Sequence, residues 1–266
     1  MTYLLAGSLL TGLAAGIIAG LFGVGGGLIV VPALLFLFYL DGIDPVISMH
    51  LALGTSLATI VFTNLSATWN HHRRGSVNWT MVAHFTPGVL LGAVFGSHIA
   101  ALMAAFALKT LFGIFEIAVG LKMIQPVKPD SREVHGTLQP TTQTLIGVGI
   151  GALSTLFGIG GGTLSVPALT LLAGRPILEA VGTSSAIGIG LALVGTSGFI
   201  YEGWNHTALP PQAMGFVVPH AFLGIVMGSL ITTPLGVRLA HHLDPVMLRR
   251  WFGLLLGVVG LKLLLP

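Results

Sequence analysis

The chain's 266 residues are 54% hydrophobic and only 7% charged, where soluble domains carry about 25% charge; so few charges could not coat a water-facing surface, and a soluble globular protein is excluded. Apolar runs such as 81–108 and 144–173 mark an integral membrane protein. A net charge of +3 then reads as topology marking rather than affinity for nucleic acid, and the absence of cysteine removes disulfides and thiolate metal sites.

The N-terminus has no basic segment ahead of its apolar run, so no cleaved signal peptide is expected. An apolar stretch runs from Leu4 to Leu40, interrupted by Gly25, Gly26, Gly27 and Pro32, residue types that disfavour helix interiors. Helices are predicted over 45–69, 80–103 and 108–124. Residues 125–143, with three prolines and much of the charge, read as a loop outside the bilayer. A second interrupted stretch spans 144–173, and helices are predicted over 176–200, 213–235 and 246–265. Asp44-Pro45 and Asp244-Pro245 each supply an N-cap residue and a proline at the first helical position.

The chain is built twice. LFGVGGGLIVVPAL (21–34) returns as LFGIGGGTLSVPAL (156–169), identical at ten of fourteen positions. Gly54-Thr55-Ser56 aligns with Gly182-Thr183-Ser184, and Pro87, Gly92, Gly96 and Ser97 with Pro219, Gly224, Gly228 and Ser229. Residues 112–124 align with 252–264. The expected fold is an all-α polytopic membrane protein of two inverted repeats, each a broken helical hairpin plus three transmembrane helices: 1–124, a cytoplasmic linker 125–143, and 144–266.

The distribution of basic residues selects the inversion. If each broken stretch enters and leaves on one side, nine basic residues fall inside (Arg73, Arg74, Lys122, Lys128, Arg132, Arg175, Arg238, Arg249, Arg250) and only Lys109 and Lys262 outside. If each stretch crosses once, the split is six to five. The first arrangement puts both termini outside.

The breaks are deep. From Asp41 back to Gly27 is roughly 21 Å of helix, and from Gly174 back to Gly162 roughly 18 Å, in a hydrocarbon core about 30 Å thick. Interrupted segments at matching places in two halves point to a transporter's binding site. Gly25, Gly26, Gly27 and Gly160, Gly161, Gly162 would permit the turn and bare backbone N–H groups at a helix start, with Pro32 or Pro167 near its first turn. A helix N-terminus attracts anions. The other reading is that the glycines only let helices pack closely. Thr55 and Ser56, about 15 Å into their helix, and Thr163, Thr183, Ser184 and Ser185 could donate to oxyanion oxygens, or bond a carbonyl one turn back.

The pattern LFGxGGGxxxVPxL, with a GTS-type helix and then a Trp-bearing loop, resembles the TauE/SafE family of membrane permeases, over essentially the whole chain. The resemblance implies transport of an anion, most often export of sulfite or an organosulfonate, and makes the two glycine triplets with Pro32 and Pro167 the signature positions. Among ionisable residues in apolar segments, Glu116, His84, His220 and His50 are candidates for coupling or gating. The histidines have the alternative of simply bonding a neighbouring helix. No metal-ligand motif or nucleophile–base pair stands out, so neither a cofactor nor an enzyme is expected.

The sequence is thus read as a secondary transporter of the cell (inner) membrane, moving a small sulfur oxyanion by alternating access, coupled to protons and forming a homodimer. A transporter of another small anion such as a carboxylate, or a passive anion channel, is the alternative.

Overall fold

The computed structural model describes residues 2–22, 25–125, 138–240 and 245–265. Lys128, Arg132, most of the 125–143 linker and the Asp244 cap lie outside the described residues. The described chain is helical: α1 (Thr2–Phe22), α2 (Gly27–Leu40), α3 (Pro45–His72), α4 (Trp79–Leu102), α5 (Ala105–Ile124), α6 (Pro140–Leu156), α7 (Gly162–Pro167), α8 (Ile177–Gly203), α9 (Pro219–Leu239) and α10 (Pro245–Leu264). A π-helical turn, Ala168–Leu172, carries α7 on without a break. Among the described residues, five helices are long and apolar enough to cross a membrane: α1, α3, α4, α8 and α9.

Local chemistry sets the helix ends. Asp44 caps α3 by accepting from the Val46 N–H at 2.9 Å, with Pro45 at N1. Asn78 caps α4 by accepting from Met81 N–H at 3.1 Å. The helix predicted over 213–235 instead starts at Pro219. Met214 and Val217 bond each other across a tight turn at Gly215 (φ +55°) ahead of it, and the Val218 N–H donates to Thr55 Oγ1 at 2.9 Å, which holds Val218 extended. Pro32 lies in the second turn of α2 rather than its first, and Pro167 is the last residue of α7.

The helices of the two repeats exchange partners. α1 packs along α9, and α6 along α4, so the first helix of each repeat lies on the fourth helix of the other. Both pairs are parallel, with backbones in contact through glycine: Gly12 and Gly16 of α1 meet Ile225 and Ser229 of α9, and Gly88 and Gly92 of α4 meet Thr144 and Val148 of α6. Small residues permit such an approach where no apolar driving force separates helix from lipid. Corresponding helices pack antiparallel: Gly54 and Gly195 place α3 against α8, and Gly113 and Gly120 meet Gly260 and Gly253 between α5 and α10.

These contacts correct the alignment of the fourth helices. Gly88 and Gly96 touch Thr144 and Ala152, and their structural counterparts on α9, touching Leu9 and Ile17, are Gly228 and Gly236. The sequence pairing of Gly96 with Gly228 was thus two helical turns out of register. Glycines recurring every fourth residue let a slip of two turns put glycine on glycine again.

Helix direction also sorts the charges. The end of the bundle with the α3–α4 turn holds Arg73, Arg74, Lys122, Arg175, Arg238 and the start of α10 with Arg249 and Arg250. Lys109 and Lys262 stand at the other end.

A β-carbon at Gly88 would collide with the Thr144 carbonyl, whereas one at Gly149 of α6 would meet nothing within 4 Å. Gly88→Val should therefore cost about 1–3 kcal/mol or more through overpacking, seen as a lower unfolding temperature in detergent. Gly149→Ala should leave that temperature unchanged or raise it slightly, since alanine favours helix.

Candidate functional site

The two interrupted stretches restart their helices by the same local rule. In the second, Gly158 (φ +61°) ends α6: the Ile159 N–H donates back to Ser154 O at 2.9 Å and the Gly158 N–H to Thr155 O at 3.1 Å, a glycine C-terminal closure. Three residues on, Gly161 (φ +77°) is the N-cap of α7. Its carbonyl accepts from Leu164 and Ser165 N–H. In the first stretch Gly26 (φ +83°) is the N-cap of α2, and its carbonyl accepts from Ile29 and Val30 N–H at 3.0 Å. In the second stretch one left-handed glycine stops a helix, and in both a left-handed glycine starts the next. The chain therefore turns back inside the bundle.

The two turns meet each other. A β-carbon on Gly25 would lie 3.1 Å from Gly160 Cα, and one on Gly27 2.8 Å from Ile159 Cα. They rest on α3 between Leu53 and Asn64, the middle of that 28-residue helix. All six triplet glycines are buried. α3 ties down the turn carbonyls: Ser56 Oγ donates to Gly158 O at 2.7 Å and Thr63 Oγ1 to Gly25 O at 3.2 Å.

Around this junction stand buried polar atoms without a hydrogen-bond partner among the described residues. They are both amide atoms of Asn64 and the hydroxyls of Ser154, Thr155, Thr163 and Ser165. Asn64 Oδ1 would be 3.3 Å from a β-carbon on Gly25, and Gly188 leaves the space that the Asn64 amide nitrogen fills. Ser165 and Ser154 Oγ lie 3.5 and 4.0 Å from the corresponding point on Gly161. A buried group without a partner is costly, so such a cluster calls for an explanation.

Other sequence candidates have different surroundings. Thr55 and Thr183 are structural twins: Thr55 Oγ1 accepts from the Val218 N–H ahead of α9, and Thr183 Oγ1 from the Asn78 N–H ahead of α4 at 3.0 Å. Each secures the other repeat's fourth helix at opposite ends of the bundle. Ser185 donates back to Val181 O at 3.0 Å within α8, and Ser184 is buried beside it. His50 Nε2–H donates to Ala100 and Met103 carbonyls, both at 3.1 Å, closing the end of α4. His84 and His220 are half-buried near the starts of α4 and α9, apart from the junction. Glu116 is buried on α5 facing Gly260 of α10, with neither oxygen partnered among the described residues. Asn64, Thr63, Ser154 and Ser165 were missed; the signal was polar residues at four-residue spacing on an otherwise apolar α3 face (Thr55, Thr59, Thr63) and in the turns flanking the motif.

The model of the sulfite exporter TauE/SafE family matches residues 8–263. The chain belongs to this family. It is 35% identical over 258 residues to a probable membrane transporter protein of Haemophilus influenzae, covering 97% of each chain. It is 32% identical over 271 residues to one of Methanocaldococcus jannaschii, covering 97% of this chain and 94% of the relative. It is 31% identical over 240 residues to the probable membrane transporter protein YunE of Bacillus subtilis, covering 83% and 85%. No solved structure matches the chain. With its apolar helices, family membership makes this a multi-pass membrane transporter.

The left-handed N-cap is the strained point of each turn. Gly161→Ala should lose about 1–2 kcal/mol from its positive φ alone. Gly161→Asn should lose less, because asparagine tolerates that region better; thermal unfolding of the purified protein ranks the two.

Proposed function

We propose that the chain exports a small sulfur oxyanion, sulfite or an organosulfonate, across the cell's inner membrane by alternating access, with the junction of the two glycine turns as its central site. The observation that carries this is the meeting of two helix starts beside Asn64, with unpartnered amide and hydroxyl groups around them. Helix N-termini bring partial positive charge without a guanidinium or ammonium, and hydroxyl and amide groups add donors of the right reach. The family name supports a sulfur oxyanion.

Two inverted repeats fit the antiparallel packing of α3 on α8 and of α5 on α10. The end rich in Arg73, Arg74, Arg175 and Arg238 is then cytoplasmic, by the positive-inside bias. The moving bodies in this scheme are not the two sequence halves. α1 is locked to α9 and α6 to α4, so each body combines one repeat's hairpin with the other's fourth helix, and the bodies rock about the central α3–α8 pair. Glu116, buried in the α5–α10 contact, is the candidate carrier of a coupling proton.

Sulfite and simple sulfonates should raise the unfolding temperature of the purified protein; protection by divalent cations alone overturns the anion reading. Asn64→Leu should cut flux in proteoliposomes at least tenfold while its unfolding temperature stays close to wild type. Retained flux would remove Asn64 from the site. In the same assay Glu116→Gln should leave flux insensitive to an imposed pH gradient, and an unchanged response would assign the coupling elsewhere.

A further inference from the structure

The two repeats finish matching helix contacts with different chemistry. α8 packs on α4, and α3 packs on α9. At the end of the bundle with the 204–218 connection, His98 Nδ1–H of α4 donates to Glu202 Oε1 of α8 at 2.8 Å. The pair stands at a groove of about 480 Å³ between the two helices, whose walls include Val94, Leu193, Ser197 and Tyr201. It ties α4 to α8 where both helices end.

The register set by Gly88 with Gly228 and by Thr55 with Thr183 locates the corresponding place on α9 and α3. The turns agree with it: the Ser76 N–H donates to His71 O as the Phe216 N–H does to Phe199 O. In that register His98 corresponds to Arg238, and Glu202 to Arg74. The Arg74 N–H still donates to His71 O at 3.1 Å, so the backbone winds on to Arg74 before Gly75 (φ +70°) ends the helix. Two arginines therefore take the positions that hold a bonded His–Glu pair in the other repeat. Both are exposed, and neither has an ion pair among the described residues. Among the described residues Glu179 is the one carboxylate at that end, and it already holds Asn78 and Arg175. Like charges so placed repel, and an anion between them removes the repulsion.

The surroundings select the anion. Phe62, Leu65 and Trp69 are exposed along one face of α3, and Arg73 follows one turn later on that face. Met227, Ile231 and Leu235 form a like stripe on α9, and Arg238 ends it. Exposed apolar stripes on membrane-spanning helices face acyl chains, and a tryptophan at their end marks the headgroup level. At the other end the matching stripe on α8 reads Leu193, Ser197 and Tyr201, with neither the tryptophan nor the cation. Arginines at the foot of acyl-lined faces suit a phosphate that brings its own acyl chains.

We propose that Arg74 and Arg238, with Arg73 beside them, bind the phosphate of an anionic phospholipid at the basic end of the α3–α9 contact. The guanidinium groups give the headgroup paired N–H donors, and the lipid phosphate joins α3 to α9 as the His98–Glu202 pair joins α8 to α4. The site stands apart from the glycine junction and requires no particular transported substrate.

The full chain in detergent is titrated with phosphatidylglycerol and with phosphatidylcholine of identical acyl chains, and its unfolding temperature is followed. Phosphatidylglycerol should reach half of its stabilising effect at a concentration at least tenfold lower. Arg74→Gln and Arg238→Gln should each cut that preference to under threefold, and the double variant should lose no more than either alone, because both hold one phosphate. Arg250→Gln, which removes an exposed arginine of α10 at the same end, should keep the preference. A second measurement leaves the arginines untouched. With Trp69 as sole tryptophan (Trp79→Phe, Trp204→Phe, Trp251→Phe), brominated phosphatidylglycerol in nanodiscs should quench emission at least threefold more efficiently than brominated phosphatidylcholine. With Trp204 as sole tryptophan (Trp69→Phe, Trp79→Phe, Trp251→Phe), at the other end, the two should quench alike. Equal stabilisation by the two lipids, equal quenching of Trp69, or a loss in Arg250→Gln as large as in Arg74→Gln overturns the site. So does glycerol 3-phosphate, which lacks acyl chains, if it matches the lipid's effect and loses it in Arg74→Gln. None of these outcomes touches substrate flux, so the lipid site and the anion-transport reading fail separately.

Discussion

A polypeptide can turn back inside a hydrocarbon layer only if the backbone groups freed by the turn find partners in protein. The whole bundle follows from meeting that condition twice. The turns are buried against each other and against α3, whose Ser56 and Thr63 hydroxyls take up the Gly158 and Gly25 carbonyls. Neither turn could sit in lipid alone, so each requires the other repeat to cover it. That requirement explains the exchange of partners: α1 reaches its turn along α9, and α6 reaches its own along α4. A hairpin packed only within its own repeat would leave its tip facing lipid.

The exchange requires close packing of backbones. Helices in lipid associate by contact rather than by expulsion of water, and the α1–α9 and α4–α6 contacts bring carbonyls against glycine. The glycines of this chain thus have two separate jobs. Those in the triplets shape turns through positive φ, as at Gly26 and Gly161, while those along α1, α4, α6 and α9 make room. Within the triplets too, Gly27 allows close packing, lying against the Gly158–Ile159 backbone.

Much of this was legible in the sequence, and the failures have physical causes. The duplicated glycine–proline motif announced two broken helices, because glycine runs in apolar segments have few other uses. The Asp44-Pro45 pair gave the start of α3 because capping is local chemistry. The start of α9 was misplaced because Val218 is held extended by Thr55, a contact between residues far apart in the chain that no local pattern encodes. The register of α4 against α9 slipped because a four-residue glycine period matches itself at every turn. Depth suggested hydroxyl donors at Thr55 and Thr183; that each Oγ1 also accepts a backbone N–H from the other repeat depends on which backbone passes it, which no local pattern encodes. Asn64 was overlooked because it has no twin: the structural match for it on α8 is Ala192.

That last point bears on where function resides in a duplicated protein. Residues that repeat, such as Gly26 and Gly161 or Thr55 and Thr183, meet demands both halves share, which are the demands of folding. A bundle made only of such pairs would present the same face to both sides of the membrane and have no direction built in. Two of the departures between the repeats are buried and polar: Asn64 against Ala192 at the junction, and Glu116 against Leu256 in the α5–α10 contact. Each places a group that is costly to bury in lipid where its partner repeat has an apolar one. A cost that the fold does not require, taken on in one copy and omitted in the other, is best explained by the ligand. The symmetric residues hold the frame, and the unmatched ones tell the transporter its two sides apart.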